Sequence, residues 1–190
     1  MESRTFLKLS AVVVPAVTVP LKMPAKFKAQ DRNTKALIVA SDQDRFKGEK
    51  HFGGAYPNLC KVSGQDTNGD LCVFEGTGTK PGPGPPLHIH YEQDELFFVI
   101  DGEFLFQVGE EKLSLKQGDS LLAPRKVPHA FMQTNDRTSK MLTTFQTAGQ
   151  MQGFFNGMGE LHGPPSRDVF QKLFKDHGME IAGPPLMMTK

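Results

Sequence analysis

Apolar and polar positions alternate in short runs between about Ala36 and Phe145. The runs include "ALIVA", "LCVFE", "ELFFVI", "EFLFQV", "KLSLK", "SLLA", "HAFMQT" and "MLTTFQT". Gly, Asp, Asn and Pro separate them at close intervals. Period-two alternation over four to eight residues suits strands with one buried face. Many short strands with frequent turn signals predict an all-β barrel or sandwich. No long helical period interrupts the series.

One pair of runs, "ELFFVI-DG-EFLFQV", predicts a hairpin turning at Asp101-Gly102. In a two-residue turn Val99 would face Phe104 and Phe97 would face Phe106. Glu95, Phe97, Val99, Phe104 and Phe106 would then share one sheet face. A further turn near Gly109-Glu110 would set Leu113 opposite Phe106 and Leu115 opposite Phe104. One acid therefore stands at the edge of a large apolar face. Two readings are open: a core face with Glu95 at its rim, or a barrel lumen with Glu95 as a ligand.

After Phe145 the pattern changes. "QGFFNGMGEL" and "PPSRDVFQKLFKDHG" read as helical. In the second, Ser166 caps, Phe170, Leu173 and Phe174 form a stripe, and Gly178 ends the helix. This predicts a C-terminal helical tail, residues 148–190, packed on a barrel of residues 36–147.

Residues 1–29 differ again. Arg4 and Lys8 precede an apolar run from Leu9 to Val19, followed by small residues up to Ala29. That is the layout of an export signal and predicts a periplasmic protein. The segment Arg4 to Lys8 resembles a twin-arginine signal, except that Ser3 stands at the first arginine. The alternative is an N-terminal strand, Ala11 to Val14, on a cytoplasmic protein.

Composition narrows the function classes. A net charge of +1 and no basic stripe give no reason to expect a nucleic-acid partner. No apolar run marks a membrane span in the mature form. Cys60 and Cys72 flank "KVSGQDTNGDL", which reads as a hairpin. They fit no metal cluster, and either a disulfide or two buried thiols suits them.

The candidate chemistry lies in "GPGPPLHIHYEQDELFFVIDGEF". His88 and His90, two apart on a strand, point to one face. The five-residue step to Glu95 needs a turn, which Tyr91 to Asp94 can supply. Glu95 then opens the adjacent strand facing the histidines. Two imidazoles and a carboxylate leave open positions on a divalent cation. Downstream, "GDSLLAPRKVPHAFMQ" brings His129 to the start of a strand as a fourth candidate ligand. Glu92 and Asp94 compete with Glu95 on position alone and read as turn residues. His51, His162 and His177 lack companion donors.

These residues resemble the two motifs of the cupin superfamily. Gly82, His88, His90, Glu95 and Gly102 meet the first throughout. Gly118, Pro124 and His129 meet the second, with Lys126 where Gly is usual and Gln133 where Asn is usual. The resemblance implies a cupin double-stranded β-helix, a jelly-roll barrel with a short helical tail. It also implies one divalent transition metal per chain, Fe, Mn, Ni or Co, held by His88, His90, Glu95 and His129.

Within the superfamily, "PRKVPHAF" and the late "HGMEIAGPPL" resemble the single-domain bacterial quercetin 2,3-dioxygenase-like proteins. That implies a dioxygenase joining O2 to a flavonol or similar enol-bearing aromatic. Glu95 would double as the catalytic base, and Phe97, Phe104, Phe106 and Phe131 would wall the substrate pocket. The superfamily also holds metal-dependent isomerases, cyclases and decarboxylases, and non-catalytic small-molecule binders. A homodimer is a further expectation from the resemblance.

Overall fold

A computed structural model describes residues 35–46, 51–53, 56–161 and 163–188. The strands alternate in burial as their sequences do: buried and half-buried positions take turns along Cys72–Gly78, Pro86–His90 and Ser139–Gln146. Two such one-sided sheets must cover each other's apolar faces. The first sheet runs in the order β1 (His51–Gly53), β2 (Tyr56–Val62), β3 (Cys72–Gly78), β11 (Ser139–Gln146), β6 (Asp94–Asp101), β9 (Ser120–Ala123). The second runs β12 (Met179–Pro185), β5 (Pro86–His90), β10 (His129–Gln133), β7 (Glu103–Val108), β8 (Glu111–Lys116). A short β4 (Gly82–Pro83) also pairs with β10. All these pairings are antiparallel, and together they form the all-β jelly roll that the resemblance implies.

The inner faces meet in two adjoining clusters. One holds Phe97, Val99, Phe104, Phe106, Phe131 and Met141. The other holds Phe74, Phe145, Met151, Phe154, Phe174 and Met179, and is partly supplied by the tail. Burying each large apolar side chain stabilises the fold by roughly 1.5–3 kcal/mol. The phenylalanines thus do much of the work of joining the sheets.

Strand β7 pairs with β8 in the predicted register, Phe104 opposite Leu115 and Phe106 opposite Leu113. The hairpin between β6 and β7 does not form. Strand β6 pairs with β11 and β9, while β7 pairs with β10 and β8. Asp101-Gly102 is instead a corner that carries the chain from one sheet to the other. Gly102 has φ +95°, and a Cβ there would lie 2.0 Å from Ser139 Oγ. The turn stands where its residues predict it, but a local signal does not say which neighbours the two strands then choose. Phe97, Val99, Phe104 and Phe106 still face one interior, because both sheets turn inward.

Strands β2 and β3 do form the expected hairpin, with Cys60 opposite Phe74. Both cysteines are free and buried. Burial pushes each thiol up to about 12, so neither ionises near neutral pH.

The tail contains two helices, α1 (Met151–Gly159) and α2 (Arg167–Asp176). Ser166 caps α2, accepting from the Val169 amide at 3.4 Å. Helix is not the last element among the described residues, however. Strand β12 follows and lines the free side of β5, with Met179 opposite His90 and Ile181 opposite His88. Its Pro184 and Pro185 sit on an outer edge, where a missing amide donor does no harm. The expected export signal falls on residues 1–29, which lie outside the described residues. Among the described residues no helix is long and apolar enough to cross a membrane.

Candidate metal centre

Both sheets contribute to one cluster. Strand β5 presents His88 and His90 on the same inner face. Strand β10 begins with His129, directly opposite His88. Glu95 comes from the other sheet, where it pairs with Ala123 and Phe145. The bend from Tyr91 to Gln93 carries the chain across between His90 and Glu95, as their odd spacing requires. Four ligand atoms, one from each residue, lie within 4.8 Å of one another.

Local contacts aim each ring. His88 Nδ1 donates to the Pro86 carbonyl at 2.8 Å. His129 Nδ1 donates to the Val127 carbonyl at 3.0 Å. A carbonyl oxygen only accepts, so both Nδ1 atoms carry hydrogen. His90 Nδ1 lies 3.2 Å from Gln93 Oε1. All three Nε2 atoms therefore face inward. His88 and His90 Nε2 are 3.1 Å apart. Glu95 Oε2 lies 2.7 Å from His129 Nε2 and 3.3 Å from His90 Nε2.

The turn before His129 is clamped from the first sheet. Asp94 accepts from the Arg125 amide at 2.9 Å and from its guanidinium at 3.1 and 2.6 Å. These hydrogen bonds hold the Asp94 carboxyl down at about 2. Asp94 is thus engaged with Arg125 outside the cluster, and Glu95 is the acid that lies within it. Lys126 donates its amide to the His90 carbonyl at 2.7 Å and has φ +66°. Gly is usual at this motif position because the left-handed conformation is easy for it, and Lys adopts the same shape at a cost. Gln133, at the other departure, is fully buried and donates to the Asn135 and Arg137 carbonyls.

Burial dominates the electrostatics. It pushes the His88 imidazolium down to about 3, helped by the charge of its neighbours His129 and His90. Burial alone would push the Glu95 carboxyl up. Hydrogen bonds and charge from His129 and His90 outweigh it, so Glu95 stays below the usual carboxylate range. For His129, burial favours the neutral ring, but the hydrogen bond and charge of Glu95 outweigh that and raise it. A neutral His88, an ionised Glu95 and converging Nε2 atoms fit a divalent transition metal. Four buried polar groups in an apolar interior otherwise cost several kcal/mol of desolvation.

The cluster opens on a cavity of about 170 Å³. His88, His90 and Glu95 form its polar end. Of the four phenylalanines expected to wall it, only Phe131 does so. Phe97, Phe104 and Phe106 are 0–1% exposed and pack against one another in the closed half of the barrel. Alternation places a side chain inside but does not say at which end. The other aromatic walls are Phe145 of β11, Phe154 and Phe155 of α1, and Phe170 and Phe174 of α2. Met151, Met158 and Met179 fill between them. The helices thus roof the site. The Phe170–Phe174 stripe is visible in the sequence as a packing face, but nothing there says what it packs against.

Comparison with known proteins agrees with this geometry. Residues 78–145 match the family model of the cupin domain. Over 113 residues, 60% of the chain, it is 26% identical to the quercetin 2,3-dioxygenase of Bacillus subtilis, covering 33% of that protein. Over 43 residues, 23% of the chain, it is 37% identical to an uncharacterized protein of Methanocaldococcus jannaschii, covering 34% of it. The chain spans about a third of the length of these curated relatives. A solved structure of an RmlC-like cupin from Shewanella frigidimarina superposes with a TM-score of 0.51 at 19% identity. It covers 63% of this chain and 96% of that one, a likeness of fold.

Proposed function

We propose that this chain, a member of the cupin superfamily, is a metal-dependent dioxygenase that joins O2 to a flavonol or a similar enol-bearing aromatic. The observation that carries this reading is a donor set of three imidazoles and one carboxylate facing an aromatic-walled cavity. His88, His90, Glu95 and His129 would hold one divalent ion, Fe, Mn, Ni or Co. When bound, such an ion supplies Lewis acidity toward a substrate hydroxyl and a site for oxygen chemistry.

The chain's own groups do the rest. Phe131, Phe145 and Phe174 offer flat apolar surfaces to an aromatic ring. Helices α1 and α2 exclude bulk water from the polar end of the cavity, which strengthens every charge interaction there. Glu95, kept ionised by its histidine neighbours, accepts the proton of the substrate hydroxyl as general base. The similarity to the Bacillus subtilis enzyme supports this choice among the cupin chemistries. Residues 1–29 are read with it as an export signal. Protein from the native host would then begin downstream of Met1, and an N-terminus at Met1 contradicts cleavage.

The test is oxygen uptake by metal-reconstituted protein over a panel of flavonols, beside Glu95→Gln. Uptake matched by flavonol loss, and abolished in the variant, is expected. A fully loaded protein that consumes no oxygen with any member contradicts the dioxygenase and leaves a non-oxidative cupin activity or a binding module.

A further inference from the structure

We infer that the side-chain amide of Gln93 is a positioning device that fixes the His90 tautomer and ties this ligand to the root of the roof helix α1. Its purpose rests on the metal reading above; its geometry does not.

Gln93 lies in the bend between β5 and β6 and is 3% exposed. Its Nε2 donates to the Ala148 carbonyl at 3.2 Å. A carbonyl only accepts, so the amide has one workable orientation, with Oε1 turned away. In that orientation Oε1 lies 3.2 Å from His90 Nδ1 and accepts its hydrogen. His90 is thereby held with Nδ1 protonated and Nε2 directed at the cluster. His88 and His129 obtain the same result from backbone carbonyls, Pro86 and Val127. His90 alone among the three histidines takes its orientation from a side chain, and that side chain is anchored elsewhere.

The anchor is the entry to α1. The Ala148 carbonyl also accepts from the Met151 amide at 3.3 Å, in the helix's first turn. It accepts from the Cys72 thiol at 3.7 Å as well. Gly149 comes next, with φ +50°, and a Cβ there would stand 2.2 Å from Gln93 Nε2. Glycine is thus needed both for the backbone and for the room that Gln93 occupies. Helix α1 carries Met151, Phe154, Phe155 and Met158 into the cavity wall. One unbroken series of contacts runs from the His90 ring through Gln93 and Ala148 to the roof. The same side chain thus holds both a candidate ligand and the entry to the roof helix.

Two variants separate the halves of this device. Gln93→Met keeps the volume and removes both hydrogen bonds. Gln93→Glu keeps an acceptor for His90 and, ionised, loses the donor to Ala148. In metal-free protein, nitrogen NMR of the imidazoles should show the Nδ1–H tautomer for His90 in wild type and in Gln93→Glu. Gln93→Met should lose it. Hydrogen exchange at the first amides of α1 should quicken in both variants. Cobalt(II) affinity, read by chelator competition, should fall about 10- to 100-fold in Gln93→Met and less in Gln93→Glu. A Gln93→Met protein with an unchanged His90 tautomer and unchanged α1 exchange overturns the inference. Wild-type protein that takes up no cobalt contradicts the metal reading instead. The tautomer and exchange results in metal-free protein still decide the role of Gln93.

Discussion

His88 and His90 bring their Nε2 atoms within 3.1 Å of each other while the other nitrogen of each ring is turned to an oxygen behind it. Two lone pairs so placed repel unless a hydrogen or a cation stands between them. Glu95 and His129 complete the enclosure from a facing sheet and a neighbouring strand. The arrangement has a clear cost to folding and a clear use in binding, which is the usual balance at a functional site.

Metal binding should therefore stabilise the fold. An ion present at about 100 times its dissociation constant adds roughly 2.7 kcal/mol. Thermal unfolding with and without cobalt(II) should show a rise in Tm for wild type and none for His88→Ala. An equal rise in both places the ion elsewhere.

Binding should release a proton. In the metal-free protein Glu95 raises His129, which favours a hydrogen on the very Nε2 that must ligate. Metal affinity should then increase with pH through the range where His129 titrates, until that hydrogen is gone. Affinity measured in buffers of increasing pH checks the sign; affinity that falls as pH rises contradicts it.

Stability of the metal-free protein should fall in acid. His88 is lowered from 6.5 to about 3, so the unfolded chain takes up a proton between these values that the folded chain refuses. The stability that the neutral ring confers is complete above about pH 6.5 and is lost progressively as pH drops toward 3. Glu95, also lowered, adds a loss of the same sign below 4.5. His129 is raised and acts oppositely: its contribution is full below 6.5 and is lost as pH rises through its folded value. Denaturant titrations from about pH 6.5 to 4.5 should show a slope that His88→Leu reduces. An unchanged slope contradicts the buried, neutral His88.

The two acids at the bend should behave differently. Asp94→Ala breaks an exposed clamp on Arg125 and should cost about 0.5–1 kcal/mol while keeping the metal. Glu95→Ala should lose it. In the same turn, Lys126→Gly relieves a left-handed Lys and should gain about 1 kcal/mol by chemical denaturation. A loss of stability there means that the Lys side chain contributes more than its backbone costs.

The phenylalanines should divide by location. Phe106→Ala opens a cavity in the closed half of the barrel and should cost about 3–5 kcal/mol. Phe170→Ala, half-buried on α2, should cost less stability and weaken binding of an aromatic ligand. Denaturation and ligand titration on the two variants check the division.

What the sequence reveals and conceals follows range. Three of the four donors are legible because strand periodicity and one turn bring His88, His90 and Glu95 together over eight residues, and His129, 34 residues beyond Glu95, is legible through the second motif. The β7–β8 register is legible for the same reason. The partners of β6 are not, because Asp101-Gly102 marks a turn without naming the sheet it leads to. Strand β12 escapes a sequence reading because "MEIAGPP" is a short stretch closed by two prolines, and it becomes a strand only where β5 offers an edge. Gln93 escapes it because its partner, Ala148, lies 55 residues away.

The most direct test is elemental analysis of protein purified without chelators, beside His88→Ala. The four-donor account predicts about one divalent transition-metal ion per chain in wild type, lost in the variant. A folded wild-type protein that holds no metal, even after reconstitution, contradicts it.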